Sequence, residues 1–233
     1  MTTTLFKTIG AATTLAGIIA TAGAANAATI SYSGGTDFAL TDIIDQSINV
    51  QKFDASLGTL KSVILEFDGA IAGGAGFENR GNSAAQVAVK FASDLTLELD
   101  QILLSINPQN ISTYQVARYD GTTDNAGASG RTLDNLSAAQ SGSQSYTDSQ
   151  ILQSFIGTGN LNFLFSAIAT SEIIGSGNMS SYFDTFAKAG VKVTYDYDPV
   201  QSVPESSTTL GFGLIAGISL LSQRKKSWLK ASN

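Results

Sequence analysis

Two pairs of carboxylates spaced two residues apart, Glu66 with Asp68 and Glu98 with Asp100, are the side chains best placed to do chemistry. On a strand, residues two apart share a face and stand about 6.5–7 Å from each other along the chain. Inverting glycosidases hold two carboxyls about 6.5–9.5 Å apart so that a water fits between them. Any polar, solvated sheet face repeats with the same period, and the pairs are expected to be that and the chain not to be an enzyme. A carboxylate-only carbohydrate-active enzyme is the alternative. The chain has no histidine and no cysteine. Imidazole general bases, histidine or thiolate metal sites, thiol nucleophiles and disulfides are therefore excluded, and with them any Ser-His-Asp hydrolase.

Hard oxygen ligands suit calcium. Asp120, Asp124, Asp134 and Asp148 border or occupy a polar stretch, and Asp196 and Asp198 lie near the end of the body. No Asp-x-Asp-x-Asp-Gly loop is present, so no cofactor is expected and calcium is left as the candidate ion, in a calcium-dependent glycan-binding module. The glycines of Phe155-Ile156-Gly157-Thr158-Gly159 lack nucleotide spacing and no lysine follows them, which leaves a chain reversal. Sugar binding wants exposed rings. The single tryptophan, Trp228, lies near the C-terminus, and Tyr114, Tyr119, Tyr146 and Tyr182 are scattered.

The elements that must position these groups read as strands. Val87, Val89 and Phe91 alternate with polar or small residues, as do Leu95, Leu97 and Leu99, and Val191, Val193, Tyr195 and Tyr197. Period two with one apolar face marks a sheet packed on one side and wet on the other. Further strands are expected over 29–33, 47–53, 60–72, 112–119, 161–169 and 180–187. A short helix over 147–156 would be capped by Asp148 or Thr147. The Gly-, Ser-, Asn- and Asp-rich segment 120–146 reads as a long exposed loop. Together these predict an all-β domain, an antiparallel two-sheet β-sandwich of jelly-roll-like form over 28–200.

Both ends carry a different pattern. Residues 1–27 hold one early charge, Lys7, then an uncharged run ending in Ala25-Asn26-Ala27, the small-x-small pattern that signal peptidase cuts. At the other end, Val203-Pro204-Glu205 precedes an uncharged stretch and the basic cluster Arg224, Lys225 and Lys226. The proline keeps Val203 extended and accessible. A helix over 207–223, at about 1.5 Å per residue, just reaches across a hydrocarbon core of about 30 Å. The basic cluster would hold its far end on the cytoplasmic side. Lys7, Arg224, Lys225, Lys226 and Lys230 account for five of the 13 basic residues, while 18 of the 19 acidic ones lie between Ala28 and Val203. The body thus carries 8 basic and 18 acidic side chains, a net charge of −10. That balance opposes nucleic-acid binding through a basic patch.

The tripartite tail over 203–226 resembles the PEP-CTERM sorting signal of Gram-negative bacteria and cyanobacteria, with Ser206 where the family usually has a second proline. The segment Phe53-Asp54-Ala55-Ser56-Leu57-Gly58-Thr59-Leu60-Lys61-Ser62-Val63, the later Phe155–Gly159 and the strand 191–197 resemble motifs of the choice-of-anchor E domain family, with Ala55 in place of a proline. The two resemblances imply an exported extracellular β-rich domain of no assigned activity. It would be processed by signal peptidase and an exosortase-type enzyme, held transiently in the inner membrane by the tail helix, then released to the cell surface or matrix. A structural or adhesive role in association with exopolysaccharide follows. Bottom-up, Asp54 to Gly58 is expected to form a turn, with Asp54 or Ser56 bonding nearby N–H groups.

Overall fold

The inward-facing apolar residues of the long runs keep one phase over remarkably few interruptions, and the strands follow that phase. A computed structural model describes residues 17–19, 27–175 and 177–200. In chain order the elements are β1 (Gly17–Ile19), β2 (Ala28–Gly35), β3 (Ala39–Leu40), β4 (Ile43–Gln51), β5 (Gly58–Asn79), β6 (Ala85–Leu99), β7 (Ile102–Ile106) and β8 (Gln109–Val116). β9 (Gly130–Tyr146), α1 (Ser149–Phe155), β10 (Asn160–Ala169), β11 (Glu172–Ile174) and β12 (Met179–Pro199) complete the described residues. One antiparallel sheet runs β1-β2-β12-β5-β9, with β3 also on β12. The second runs β11-β6-β10-β4, with β7 and β8 on β6. Two antiparallel sheets enclosing one main apolar core make an all-β sandwich.

Two pairs of expected strands are each one strand. Val87, Val89, Phe91, Leu95, Leu97 and Leu99 are all odd-numbered and all buried, so β6 passes through Ser93 and Asp94 without changing face. β12 likewise carries Ala187, Ala189, Val191, Val193, Tyr195 and Tyr197 inward along 21 residues. β6 is the spine of its sheet. β8 and β7 pair along one edge of it in a single register, broken only at Asn107-Pro108, where proline has no N–H to donate.

The segment 120–146 is not one long loop. Its second half is β9, a 17-residue strand paired with β5 from Gly130 to Tyr146. β9 lies at the edge of its sheet, and its inward positions include Leu133, Leu136, Ala138 and Gly142, packed with only partial burial. β5 supplies its backbone partners, so the strand needs little apolar periodicity of its own. A register shift opposite Gly73 and Ala75 puts Asn135 at φ 60°, a conformation that asparagine tolerates better than most residues.

At one end of the core an aromatic cluster joins both sheets. Tyr195 is fully buried, with ring centroids 5.6 Å from Phe53, 6.1 Å from Tyr32 and 6.4 Å from Phe155. Its hydroxyl donates to the Gln51 carbonyl at 2.8 Å. The expected turn is present: residues Ala55–Leu57 form one 3-10 turn, and the Asp54 carboxylate accepts the Ser56 N–H at 2.8 Å. Gly58 follows at φ 154°, and a Cβ there would strike the Asp198 carbonyl. The short helix is also present, with the Asp148 carboxylate accepting the N–H groups of Gln150 and Ile151 at 2.9 and 3.2 Å.

Burial raises the pKa of the Tyr195 phenol above the ordinary phenol value, helped by neighbouring Tyr32. Burial also raises Tyr146, and raises Tyr32 together with the charge of Asp54 and the neighbouring Tyr197. A raised folded value stabilises the fold below the ordinary phenol value and loses that contribution as pH climbs through the folded values. Above about pH 10 the chain should therefore show phenolate absorbance rising together with loss of near-ultraviolet circular dichroism. Tyr195→Phe should make that alkaline transition shallower. At neutral pH the same variant should lose about 1 kcal/mol, because the Gln51 carbonyl is orphaned.

Candidate functional site

Outside the second sheet, the ends of β6, β10 and α1 frame a groove of about 510 Å³ lined by polar side chains. Asn160 and Asn162 alternate with the buried Leu161 and Phe163 on β10, so their amides face outward by strand geometry alone. Glu98 stands on the neighbouring β6, beside Leu164 of β10 in the pairing. Lys52, just past β4, and Ser154 of α1 complete the polar lining. Beyond Asp100, a second hollow of about 400 Å³ continues past Gln101 to Gln150 and Ile151.

Glu98 and Asp100 line the same groove, but they do not sit on one strand face. β6 ends at Leu99, which pairs with Ile102, and Asp100 occupies the two-residue turn between them at φ 50°. The hairpin turn therefore sets the direction of the Asp100 side chain independently of the strand's alternation. The other pair, Glu66 and Asp68, is on the outer face of the first sheet. Glu66 is held by Lys192 at 2.7 Å, and Asp68 accepts the Ser141 hydroxyl at 2.5 Å. Each carboxylate is engaged by a separate neighbour, so no common centre forms.

The aspartates singled out as calcium ligands are spread over local tasks. Asp120 accepts the Thr122 N–H and Asp124 the Ala126 N–H, both at 3.0 Å, as Asx turns do. Asp148 caps α1 and Asp198 pairs with Lys61 at 3.1 Å. Asp134 is exposed beside the register shift in β9, and Asp196 lies on β12 opposite Ser62. Among the described residues no three acidic side chains converge on a metal-sized site.

The four tyrosines considered for sugar stacking do not gather. Tyr146 is buried against Phe155, with ring centroids 6.1 Å apart, and cannot meet a ligand. Tyr114 lies under the Arg131 guanidinium at 5.0 Å, Tyr119 is hydrogen-bonded to Thr123 at 2.9 Å, and Tyr182 is exposed over Gly76. Ala27 is exposed just ahead of β2. Ala25, Val203, Pro204, Glu205, Arg224, Lys225 and Lys226, with the helix expected over 207–223, lie outside the described residues. Among the described residues no helix is long and apolar enough to cross a membrane.

Lys52, Ser154, Asn160 and Asn162 belong to the groove although their residue types gave no warning of it. For the two asparagines the available signal was alternation with Leu161 and Phe163. For Lys52 and Ser154 there was none, since only chain folding brings them there. Chemically, the groove offers two carboxylates, an ammonium, two amides and a hydroxyl, a set suited to hydrogen-bonding a polar ligand.

No family model and no curated protein matches the chain. Among solved structures it is similar to a chain of the T13 IBDV viral particle, at 10% identity over 75% of this chain and 36% of that one, with a TM-score of 0.16. It is also similar to a chain of the Infectious Bursal Virus derived T=1 particles, at 9% identity over 72% and 38%, with a TM-score of 0.14. The chain spans well under half the length of either, and likeness of this degree says nothing about function.

Helix α1 forms a wall of the groove and depends on one side chain at its start. Asp148→Ala should destabilise the chain by about 1 kcal/mol in urea unfolding, the usual value of a lost N-cap. Asp148→Asn should retain most of that stability, because an amide oxygen still accepts both N–H groups.

Proposed function

We propose that this chain is an exported, non-catalytic component of the cell surface or extracellular matrix, built on a jelly-roll-like sandwich. The observation that carries this reading is where the long strands of the described residues begin and end. β2 starts at Ala28, the first residue after the expected signal-peptidase cut, and β12 ends at Pro199, four residues before Val203. Among the described residues every long strand therefore falls between the two address segments, and removal of both would take only the three-residue β1 from the two packed sheets. Of the preceding segment, Gly17–Ile19 pairs with the edge of β2, and a cut after Ala27 would free that edge. The tail would be handled by an exosortase-type enzyme at Val203-Pro204-Glu205, after transient anchoring in the inner membrane.

The polar groove supports association with exopolysaccharide, because amides and carboxylates hydrogen-bond sugar hydroxyls. Hydrolysis is the weaker reading. Enzymes that cleave glycosidic bonds with carboxyls alone shield the reaction from bulk water, whereas Glu98 and Asp100 are both exposed.

Intact-mass measurement of the full chain, expressed in a Gram-negative host that carries an exosortase, tests the delivery. The expected product begins at Ala28 and ends near Glu205. Recovery of uncut Met1–Asn233 from the cytosol would reject this reading. For the groove, Asn160→Ala with Asn162→Ala should weaken binding to secreted polysaccharide about tenfold, a loss of about 1.4 kcal/mol. Unchanged binding by that double variant would place the glycan contact elsewhere on the body.

A further inference from the structure

Along β5 from Ser62 onward the even-numbered residues face outward, and Glu78 continues that phase near the strand's end. Its exposure is nevertheless 0%. What covers it is the segment 117–130, which folds back over the end of the first sheet before entering β9. Asn79 ties that segment down: its N–H donates to the Ser129 carbonyl at 2.9 Å and its amide to the Ala117 carbonyl at 2.7 Å. The Ala117 N–H donates to the Ala128 carbonyl at 2.8 Å, and the Gly130 N–H to the Ala126 carbonyl at 2.9 Å. Glu78 pairs with Gly130 in the β5–β9 ladder, which sets its side chain against the inside of this cover.

Buried here are side-chain oxygens without donors. Neither carboxylate oxygen of Glu78 has a hydrogen-bond partner, and the buried Oδ1 of Asn125 has none either. The Ala126 carbonyl borders the same space: a Cβ at Gly130 would collide with Glu78 Oε2 and would meet the Ala126 N and O at 2.5 and 2.8 Å. Glycine at 130 is what lets the Glu78 carboxylate lie against that backbone, since any larger residue would collide with it.

A buried carboxylate without a partner is among the most destabilising groups a fold can hold. Nearby cations do not relieve it. None of the ion pairs among the described residues includes Glu78, and the Arg131 guanidinium stacks on Tyr114. A buried carboxylate with the Ala126 carbonyl close by, and the buried Oδ1 of Asn125 on the residue before that carbonyl, offers oxygen ligands of the kind a hard cation takes. Calcium accepts such a mixed, irregular oxygen set, whereas magnesium demands near-ideal octahedral geometry.

We propose that Glu78, with Asn125 Oδ1 and the Ala126 carbonyl, binds a calcium ion that locks the 117–130 cover onto the end of the first sheet. One acidic ligand makes the site weak, with a dissociation constant of about 0.1–1 mM, the range of extracellular calcium modules. The site differs from the scattered aspartates that the composition suggested. Binding there does not depend on where the chain is delivered.

The purified full chain, stripped with EDTA, is titrated with calcium chloride in a calorimeter and unfolded thermally with and without the ion. Heat that saturates in the low millimolar range is expected. At about ten times the dissociation constant the unfolding midpoint should rise by about 3–5 °C. Glu78→Gln should abolish both responses while melting in EDTA no lower than the wild type, since the uncompensated charge is gone. Asn125→Ala should weaken calcium binding about tenfold and still fold. No heat and no shift of the wild-type midpoint at about 10 mM calcium would overturn the proposal, as would a Glu78→Gln variant that responds like the wild type.

Discussion

The sandwich depends on a junction in which two segments about a hundred residues apart are bonded backbone to backbone over one buried ring. The Phe53 N–H donates to the Phe155 carbonyl at 2.9 Å, and the Gly157 N–H donates to the Phe53 carbonyl at 3.0 Å. Just outside, the Lys52 N–H donates to the Gly159 carbonyl at 3.0 Å. These bonds join the exit of β4 to the entry of β10, the two strands that run side by side at the edge of the second sheet. Phe53 and Phe155 are thereby pressed on Tyr195 of the first sheet, so one contact fixes sheet to sheet and strand to strand. Aromatic pairs in such tilted arrangements add about 0.5–1.5 kcal/mol each beyond the area they bury. The glycines at 157 and 159, at φ 143° and 106°, let the chain reverse immediately after that contact.

This junction gives physical content to the two stretches, Phe53–Leu60 and Phe155–Gly159, that stand out in the sequence. Each looks like an isolated turn when read alone. Together they are one structural unit: Asp54 closes the 3-10 turn, Gly58 lets β5 begin beside Asp198, and Phe53 and Phe155 fill the space between sheets. The groove lies next to this unit, which is why its lining comes from four separate elements. Lys52 precedes one motif, Ser154 precedes the other, and Asn160 follows it.

Strand identity and facing were legible wherever one face is strongly apolar, because period two leaves only one way to bury β6, β10 and β12. The capped helix at Asp148 and the turn at Asp54 were legible for a different reason, since short polar side chains bond their own neighbourhood. Length was not legible: a polar or small residue inside a strand, such as Ser93 or Gly190, looks like an ending when partners on both sides in fact carry the ladder through. β9 was hidden for a related reason. Its serines and glutamines report an edge position with a wet face, and only pairing with β5 reveals the strand. The groove was half legible, because spacing marked Glu98 and Asp100 but not the turn that separates their directions.

Acidic side chains on this chain divide by how their charge is met. Glu66, Glu172 and Asp198 face lysines at the surface, pairs worth little individually. Asp54, Asp120, Asp124 and Asp148 accept backbone N–H groups, which shapes turns and a helix start. Water or a neighbour is within reach in all these cases, so a body with an excess of acid remains compatible with a packed fold. Glu78 has neither. The buried hydroxyls of Ser93 and Thr185 also lack partners, but they are neutral and can turn. A carboxylate cannot meet its charge by a rotation, and the cation proposed above is one way in which the charge of Glu78 would be met. Glycine at 130 lets β9 pass against that carboxylate, where any larger side chain would collide with it.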